Sequence, residues 1–158
     1  MTTYALTIED TPSAADQQAL VRGLDVHAGP HTPRPGFKPL AAFLRDDGGT
    51  LVGGAYGYVN WNWLFINLVW LSPSLRGHGH GRRLILTLEH AARERGCTHA
   101  HLDTFSYQAR PFYEKLGYEV FATLDDYPPG HQRFFMKKAL PRITSMPCIT
   151  WATGSRSV

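Results

Sequence analysis

The segment Leu71-Ser-Pro-Ser-Leu-Arg-Gly-His-Gly-His-Gly-Arg-Arg83 decides the fold, because it joins two regular patterns through a glycine-rich turn. Before it, Trp63–Leu71 is rich in β-branched and aromatic residues and predicts a buried strand. After it, residues 79–95 predict an amphipathic helix, with Leu84 and Leu88 on one face. The chain therefore enters this turn from a strand and leaves it as a helix.

Such a turn is suited to binding phosphate. The first backbone N–H groups of a helix have no intrahelical partner, and they share the positive end of the helix dipole. Glycines let a ligand approach that backbone closely, so we expect a phosphate or pyrophosphate site. The spacing matches neither a dinucleotide fingerprint nor a P-loop. The residues expected to bind are Arg76, Gly77, His78, Gly79, His80, Gly81 and Arg82.

Two motifs together resemble a known family. Arg76-x-x-Gly79-x-Gly81 resembles the Arg/Gln-x-x-Gly-x-Gly/Ala signature of the GNAT acyltransferases. The segment Tyr107-Gln-Ala-Arg-Pro-Phe-Tyr-Glu-Lys-Leu-Gly-Tyr118 resembles the family segment that ends in FYxKxGY. The resemblance covers roughly residues 40–140.

The resemblance implies an α+β fold, with a mixed, mostly antiparallel central sheet of about six to seven strands flanked by helices. It implies acetyl-CoA as cosubstrate, bound also by Val69, Trp70, Leu71 and Gln108. In the family, the backbone N–H near the position of Leu71 polarises the thioester carbonyl. The tyrosine at the position of Tyr113 protonates the departing thiolate.

The base that takes the proton of the amine departs from the family pattern. Many members carry an acidic residue on the strand before the turn, whereas Trp63–Leu71 contains none. Asn67 offers only a place to hold a water molecule. Asp103 is our catalytic candidate, and His101, His131 and bulk water remain open alternatives.

The remaining pattern predicts one domain. Residues 4–8 alternate and predict a strand, and residues 12–24 predict a helix. We expect strands at 40–45, 50–60, 98–105, 118–124 and 132–138, with a short helix at 107–116. Residues 1–140 are expected to form one acyltransferase domain. Residues 141–158 form a weakly patterned tail, either disordered or lying over a groove.

Composition narrows the class of protein. The chain has 158 residues, 43% of them hydrophobic, a net charge of +3 and two cysteines. Disorder of the whole chain and a disulfide framework are therefore not expected. Lys and Arg are scattered, so we expect no nucleic-acid partner. No apolar run is long enough for a membrane span, and we expect a cytoplasmic protein. We also expect no metal, although His99, His101 and Asp103 alternate on one strand.

The acceptor is expected to be a small-molecule amine. Trp61, Trp63 and Trp70 are predicted to pack in the core or, alternatively, to form an apolar wall for the acceptor. Asp125 and Asp126 are either solvated turn residues or attract a cationic amine. Three alternatives stay open: acetylation of a protein lysine or N-terminus, a non-catalytic acyl-CoA-binding module, and a nucleic-acid binder. A homodimer is left open.

Overall fold

A computed structural model of the protein describes residues 4–33 and 36–141 of the 158. The described chain divides into two compact units, one comprising residues 4–33 and the other residues 36–141. Our prediction of one domain over residues 1–140 stays a prediction. Of the expected tail at 141–158, only Pro141 is described, and residues 142–158 lie outside the described residues.

The first unit contains one helix, α1 (Ala14–Ala28). Ser13 caps it, because its hydroxyl oxygen accepts a hydrogen bond from the backbone N–H of Asp16 at 3.0 Å. The predicted helix was therefore correct at its start and too short at its end. The predicted strand at residues 4–8 was wrong: the segment has no regular structure. Alternation alone does not form a strand when no neighbouring strand supplies hydrogen bonds.

The second unit is a mixed α+β sheet structure, as expected. Its six strands lie in the order β1-β2-β3-β4-β6-β5, and only β3 and β4 are paired in parallel. The elements are β1 (Lys38–Arg45), β2 (Leu51–Asn60), β3 (Trp63–Leu71), α2 (His80–Glu94), β4 (His99–Phe105), α3 (Arg110–Glu114), β5 (Glu119–Asp125) and β6 (Gln132–Ala139). The glycine-rich turn connects β3 to α2, which is the crossover that a parallel strand pair requires.

Strand β3 contains a bulge at Asn67. Its register with β2 passes from Tyr56 opposite Leu68 to Gly57 opposite Ile66, so Asn67 is the extra residue. The bulge shifts the alternation of side chains by one position. Ile66 faces the core before it, Val69 packs against the core after it, and Trp70 is 52% exposed.

Gly57 is required opposite this bulge. A Cβ atom on Gly57 would lie 1.9 Å from the backbone oxygen of Phe65 and 3.1 Å from the Cα of Ile66. Because both obstacles are backbone atoms, no side-chain rotation relieves the clash.

Strands β3 and β4 separate beyond the bulge. Their pairing runs from Trp63 opposite His99 to Ile66 opposite Leu102, and no pairing continues past that point in the described strands. Residues 68–71 remain paired with β2 on their other edge, and residues 103–105 remain paired with β6. The two strands therefore open a wedge, whose backbone edges are available to an extended ligand.

Helix α2 is held against the core by a buried charged group. Glu89 is fully buried within α2. Its carboxylate accepts hydrogen bonds from the Lys138 ammonium at 2.8 Å and from the Tyr118 hydroxyl at 3.0 Å. These partners compensate the burial of the charge, and they tie α2 to β6 and to the residue before β5.

We predict that Gly57→Ala destabilises the protein by about 3 kcal/mol, because the sheet must shift to relieve the backbone clash. Urea unfolding measures this change. Gly36→Ala is the matched control, since a Cβ there meets nothing within 4 Å. Equal urea midpoints for the two variants would show that glycine is not required opposite the bulge.

Candidate functional site

A cavity of about 610 Å³ lies where the end of β3, the glycine-rich turn and α3 meet. The cavity runs from the cationic turn at one end to Tyr113 at the other. Its lining consists of Val69, Trp70, Leu71, Arg76, Gly77, Gly79, Gly81, Arg82, Ala109, Phe112, Tyr113, Lys115 and Leu116.

The turn presents unpaired backbone donors beside this cavity. Gly77 and Gly79 have φ values of 77° and 82°, in the left-handed region that favours glycine. Gly79 is the N-cap of α2, and no side chain caps it. The backbone N–H of Arg83 donates to the Gly79 carbonyl at 3.1 Å, so the N–H groups of residues 80–82 precede the first intrahelical bond. An anionic group at this position would meet these donors and the helix dipole.

Gly81 sets the width of the cavity. A Cβ at this position would lie 3.3 Å from the Cζ atom of Phe112 and 3.4 Å from the Cδ1 atom of Leu71. Any larger residue would therefore press on the side chains of α3 and β3. The small residue keeps the path from the turn to Tyr113 open.

Arg76 joins the turn to the strand. Its Nε donates a hydrogen bond to the Leu71 carbonyl at 3.2 Å. The exposed guanidinium is thereby held where β3 ends, among the residues that line the cavity. Arg76 and Arg82 together make this end of the cavity positive, as phosphate groups require.

The structure places three other predicted residues away from the lining. His78 is exposed beside the cavity, and the His80 side chain lines a smaller cavity next to β1. The Gln108 amide oxygen accepts hydrogen bonds from the Phe105 N–H and the Thr104 hydroxyl, both at 3.1 Å. Gln108 thus fixes the end of β4, and through it one edge of the wedge.

Tyr113 is the buried phenol at the inner end of the cavity. It is 8% exposed, and its ring packs edge-on against Phe112 and Tyr118. Burial, and secondarily the negative charge of Asp103, raise the pKa of Tyr113 to about 12. The phenol therefore keeps its proton throughout the physiological range and is available as a hydrogen-bond donor.

Asp103 has a partner that the sequence reading missed. Arg133 Nε donates to Asp103 Oδ2 at 2.8 Å, and Nη2 lies 2.8 Å from the same oxygen. This hydrogen bond raises the pKa of Arg133. The register that pairs Asp103 with Phe135 and Phe105 with Arg133 brings the two charges together. Only the strand register, which was not read from the sequence, would have revealed the pair.

The two histidines considered as alternative bases, His101 and His131, differ in their surroundings. Burial lowers the pKa of His101, an effect that the nearby Asp103 only partly offsets. The His101 ring packs against Phe65 at 4.7 Å between ring centres. His131 lies in the loop before β6, where its Nδ1 is 3.1 Å from the Ser106 hydroxyl. Asn67 is exposed within the bulge of β3.

Comparison with known proteins identifies the family. The model of the acetyltransferase (GNAT) family matches residues 15–118. The chain belongs to the GNAT acetyltransferase family. It is 39% identical over 113 residues to the blasticidin-S acetyltransferase of Streptomyces morookaense, covering 69% of this chain and 83% of that enzyme.

Two solved structures agree with this assignment. An acetyltransferase from Bacillus cereus superposes with a TM-score of 0.78 at 26% identity, covering 85% of this chain and 98% of its own. Nourseothricin acetyltransferase superposes with a TM-score of 0.58 at 27% identity, covering 66% of each chain. The predicted family, the α+β fold and the assignment as an acyl-CoA-dependent acetyltransferase are therefore confirmed.

Two further findings concern the described residues alone. None of the helices in residues 4–33 and 36–141 is long and apolar enough to cross a membrane. Within the same ranges, no group of three or more His, Cys, Asp or Glu side chains is placed to hold a metal ion.

We predict that His101 makes stability depend on pH. Its folded-state pKa is lowered, so the unfolded chain binds the proton more readily, and stability falls as pH drops below about 6.5. Replacement by His101→Phe keeps the aromatic packing and removes this proton. Urea unfolding at pH 7.5 and pH 5 should show a smaller loss for the variant than for wild type.

The exposed His90 on α2 provides the matched control, His90→Phe. If both variants lose the same stability between the two pH values, the burial of His101 is not the cause.

Proposed function

We propose that this acetyltransferase moves an acetyl group from acetyl-CoA to a primary amine of a small molecule, by direct attack within a ternary complex. One observation carries the proposal: a single cavity joins a cationic turn to a buried phenol along the open edge of β3. The turn would bind phosphate, the open edge of β3 would bind an extended arm with amide groups, and the thioester would lie beside the phenol.

The residues present fit the cosubstrate. The N–H groups of the turn, with Arg76 and Arg82, would hold the pyrophosphate. The edge of residues 67–71 that faces the wedge would hydrogen-bond the pantetheine amides as an added strand does. A backbone N–H near Leu71 would polarise the thioester carbonyl, and the cosubstrate supplies the activated acyl group.

Tyr113 would stabilise the sulfur as it departs. A thiol has a pKa of about 8.5, well below the value of about 12 for Tyr113. The phenol is thus a weaker acid than the thiol that forms. Its contribution is therefore a hydrogen bond to the sulfur while charge develops there, rather than complete and permanent loss of its proton.

Asp103 would act on the amine. A lysine-like ammonium has a pKa of about 10.4, so it is mostly protonated at neutral pH and must lose a proton before attack. Asp103 lies where β4 leaves the wedge, close enough to Tyr113 for its charge to raise the tyrosine pKa. A carboxylate there would hold the ammonium and pass its proton to water.

The reaction balances without any further reagent. The amine nitrogen forms the bond to the acetyl carbon, and the bond from that carbon to sulfur breaks. The proton released from nitrogen leaves through Asp103 or water. The sulfur leaves as thiolate hydrogen-bonded by Tyr113 and takes a proton from solvent.

We infer the class of acceptor from the substrates that the names of two similar proteins specify. Their names specify blasticidin-S and nourseothricin as what two of them acetylate. Both relatives are at least 27% identical to this chain over their matched parts. This likeness favours a small molecule over a protein as acceptor.

We predict that Tyr113→Phe lowers kcat about 100-fold and leaves the Kd for acetyl-CoA within about twofold of wild type. The phenyl ring keeps the packing against Phe112 and Tyr118, and only the donor is lost. Release of free thiol from acetyl-CoA across a panel of amines measures kcat, and calorimetry measures Kd. Tyr56→Phe on β2 is the matched control and should retain wild-type rates.

Two results would count against this account. Equal rates for Tyr113→Phe and wild type would remove the tyrosine from the chemistry. Binding of acetyl-CoA by wild type, with no thiol release for any amine, would favour a non-catalytic binding module instead.

A further inference from the structure

A group of aromatic side chains, here called the aromatic wall, stands at the end of β4. It consists of Phe105, Tyr107 and Tyr127. Phe105 and Tyr107 are stacked, with ring centres 5.4 Å apart and planes 5° from parallel. Tyr127 lies 6.4 Å from Phe105. Tyr107 and Tyr127 are 58% and 49% exposed, which is a large apolar area to leave in water.

The aromatic wall begins at Phe105, on the less buried face of β4. Along β4, Ala100, Leu102 and Thr104 are buried, so Asp103 and Phe105 face the other side of the strand. Trp70, at the end of β3 on the other edge of the wedge, is exposed and also lines the cavity. The aromatic wall therefore lies at the end of β4, on one edge of the wedge.

The aromatic wall is joined to the residues of the proposed chemistry. Arg133, which binds Asp103, lies over the rings of Phe105 and Tyr127, 5.5 Å from the centre of each. Gln108, two residues before the start of α3, holds the backbone of Phe105. The rings are therefore fixed relative to Asp103 by side chains with defined partners.

The Asp103 side chain beside the aromatic wall is 18% exposed. Nε and Nη2 of the Arg133 guanidinium both lie 2.8 Å from Asp103 Oδ2. In the described part of the chain, Oδ1 accepts no hydrogen bond. Arg133 neutralises much of the carboxylate charge. Asp103 Oδ1 would therefore bind an incoming ammonium mainly through a hydrogen bond, and only weakly through charge attraction. Further binding energy must come from the rings.

The two neighbouring carboxylates have structural roles in their loop. Asp126 Oδ1 accepts from the Gly130 N–H at 2.7 Å, and Asp125 Oδ1 accepts from the Gln132 amide at 2.7 Å. Both shape the loop between β5 and β6. Asp103 differs from both in lying on β4 at the edge of the wedge, and for that reason our inference centres on it.

We propose that the aromatic wall selects the acceptor: a planar ring of the substrate stacks on the exposed ring of Tyr107, which Phe105 supports from behind, while its ammonium group binds Asp103 Oδ1. The acceptors are then amines that carry a flat ring system, rather than aliphatic polyamines. This inference rests on the proposed function for its meaning, but ring selection is a property of binding and is measured without turnover.

The test compares two amines of nearly equal size, 2-phenylethylamine and 2-cyclohexylethylamine. They share the ammonium group and chain, and they differ in whether the ring is flat. Calorimetry with the CoA-saturated protein measures the Kd of each. We expect wild type to bind the phenyl compound about fivefold more tightly, as a stacking contribution of about 1 kcal/mol implies.

Three variants locate the preference. Tyr107→Ala should make the Kd values of the two amines about equal. Tyr107→Phe should preserve the difference in Kd, because stacking needs the ring and not the hydroxyl. Phe43→Ala removes an exposed ring on the distant strand β1 and should change nothing. Retention of the preference in Tyr107→Ala would overturn the proposal, as would equal affinities or no binding of either amine to wild type.

Thiol release with the same two amines separates this inference from the proposed function. Ring-selective binding without thiol release supports the aromatic wall and contradicts the acetyl transfer. Thiol release with equal kcat/KM for the two amines supports acetyl transfer and contradicts the aromatic wall.

Discussion

The separation of β3 from β4 beyond Ile66 and Leu102 is the constraint on which the site depends. Within a regular sheet these strands would satisfy one another's backbone groups, and no ligand would fit between them. The bulge at Asn67 bends β3, and Gly57 alone accommodates the displaced backbone of Phe65. One glycine on β2 thus permits the wedge that exposes the edge of residues 67–71. The cavity, the approach to Tyr113 and the exposure of Trp70 all follow from this opening.

The second requirement is a rigid phosphate-binding helix. The turn can present its N–H groups to a ligand only if α2 keeps a fixed position relative to β3. The buried carboxylate of Glu89 fixes that position through Lys138 and Tyr118, and Arg76 ties the turn to the end of β3. Tyr118 in turn packs against Tyr113. Tyr118 therefore contacts both the carboxylate that holds α2 and the phenol ring that lines the cavity.

Much of this could be predicted from the sequence, because the deciding features are local. Glycines at 77, 79 and 81 between a strand and a helix, and the segment around Tyr113, identify the family without any knowledge of tertiary contacts. Strand β3 was predicted with its observed bounds for the same reason: aromatic and β-branched residues end at a proline. Residues 4–8 show the converse, since alternation cannot tell whether a neighbouring strand exists.

What the sequence could not provide depends on register and on long-range pairing. Arg133 lies 30 residues from Asp103 along the chain, and only the pairing of β4 with β6 brings them together. The bulge at Asn67 is likewise invisible in composition, although it reverses which side of the sheet Trp70 faces. Phe112 and Leu116 were not singled out as binding residues, because a short helix gives little information about which of its sides meets a cavity.

Hydrogen–deuterium exchange of the backbone amides, with and without saturating acetyl-CoA, tests the central claim most directly. If the wedge and the turn hold the cosubstrate, amides of residues 67–71 and 76–82 should exchange more slowly in its presence, while those of β1 should not change. Slower exchange elsewhere with none in these two segments, or no change at all, would contradict the account.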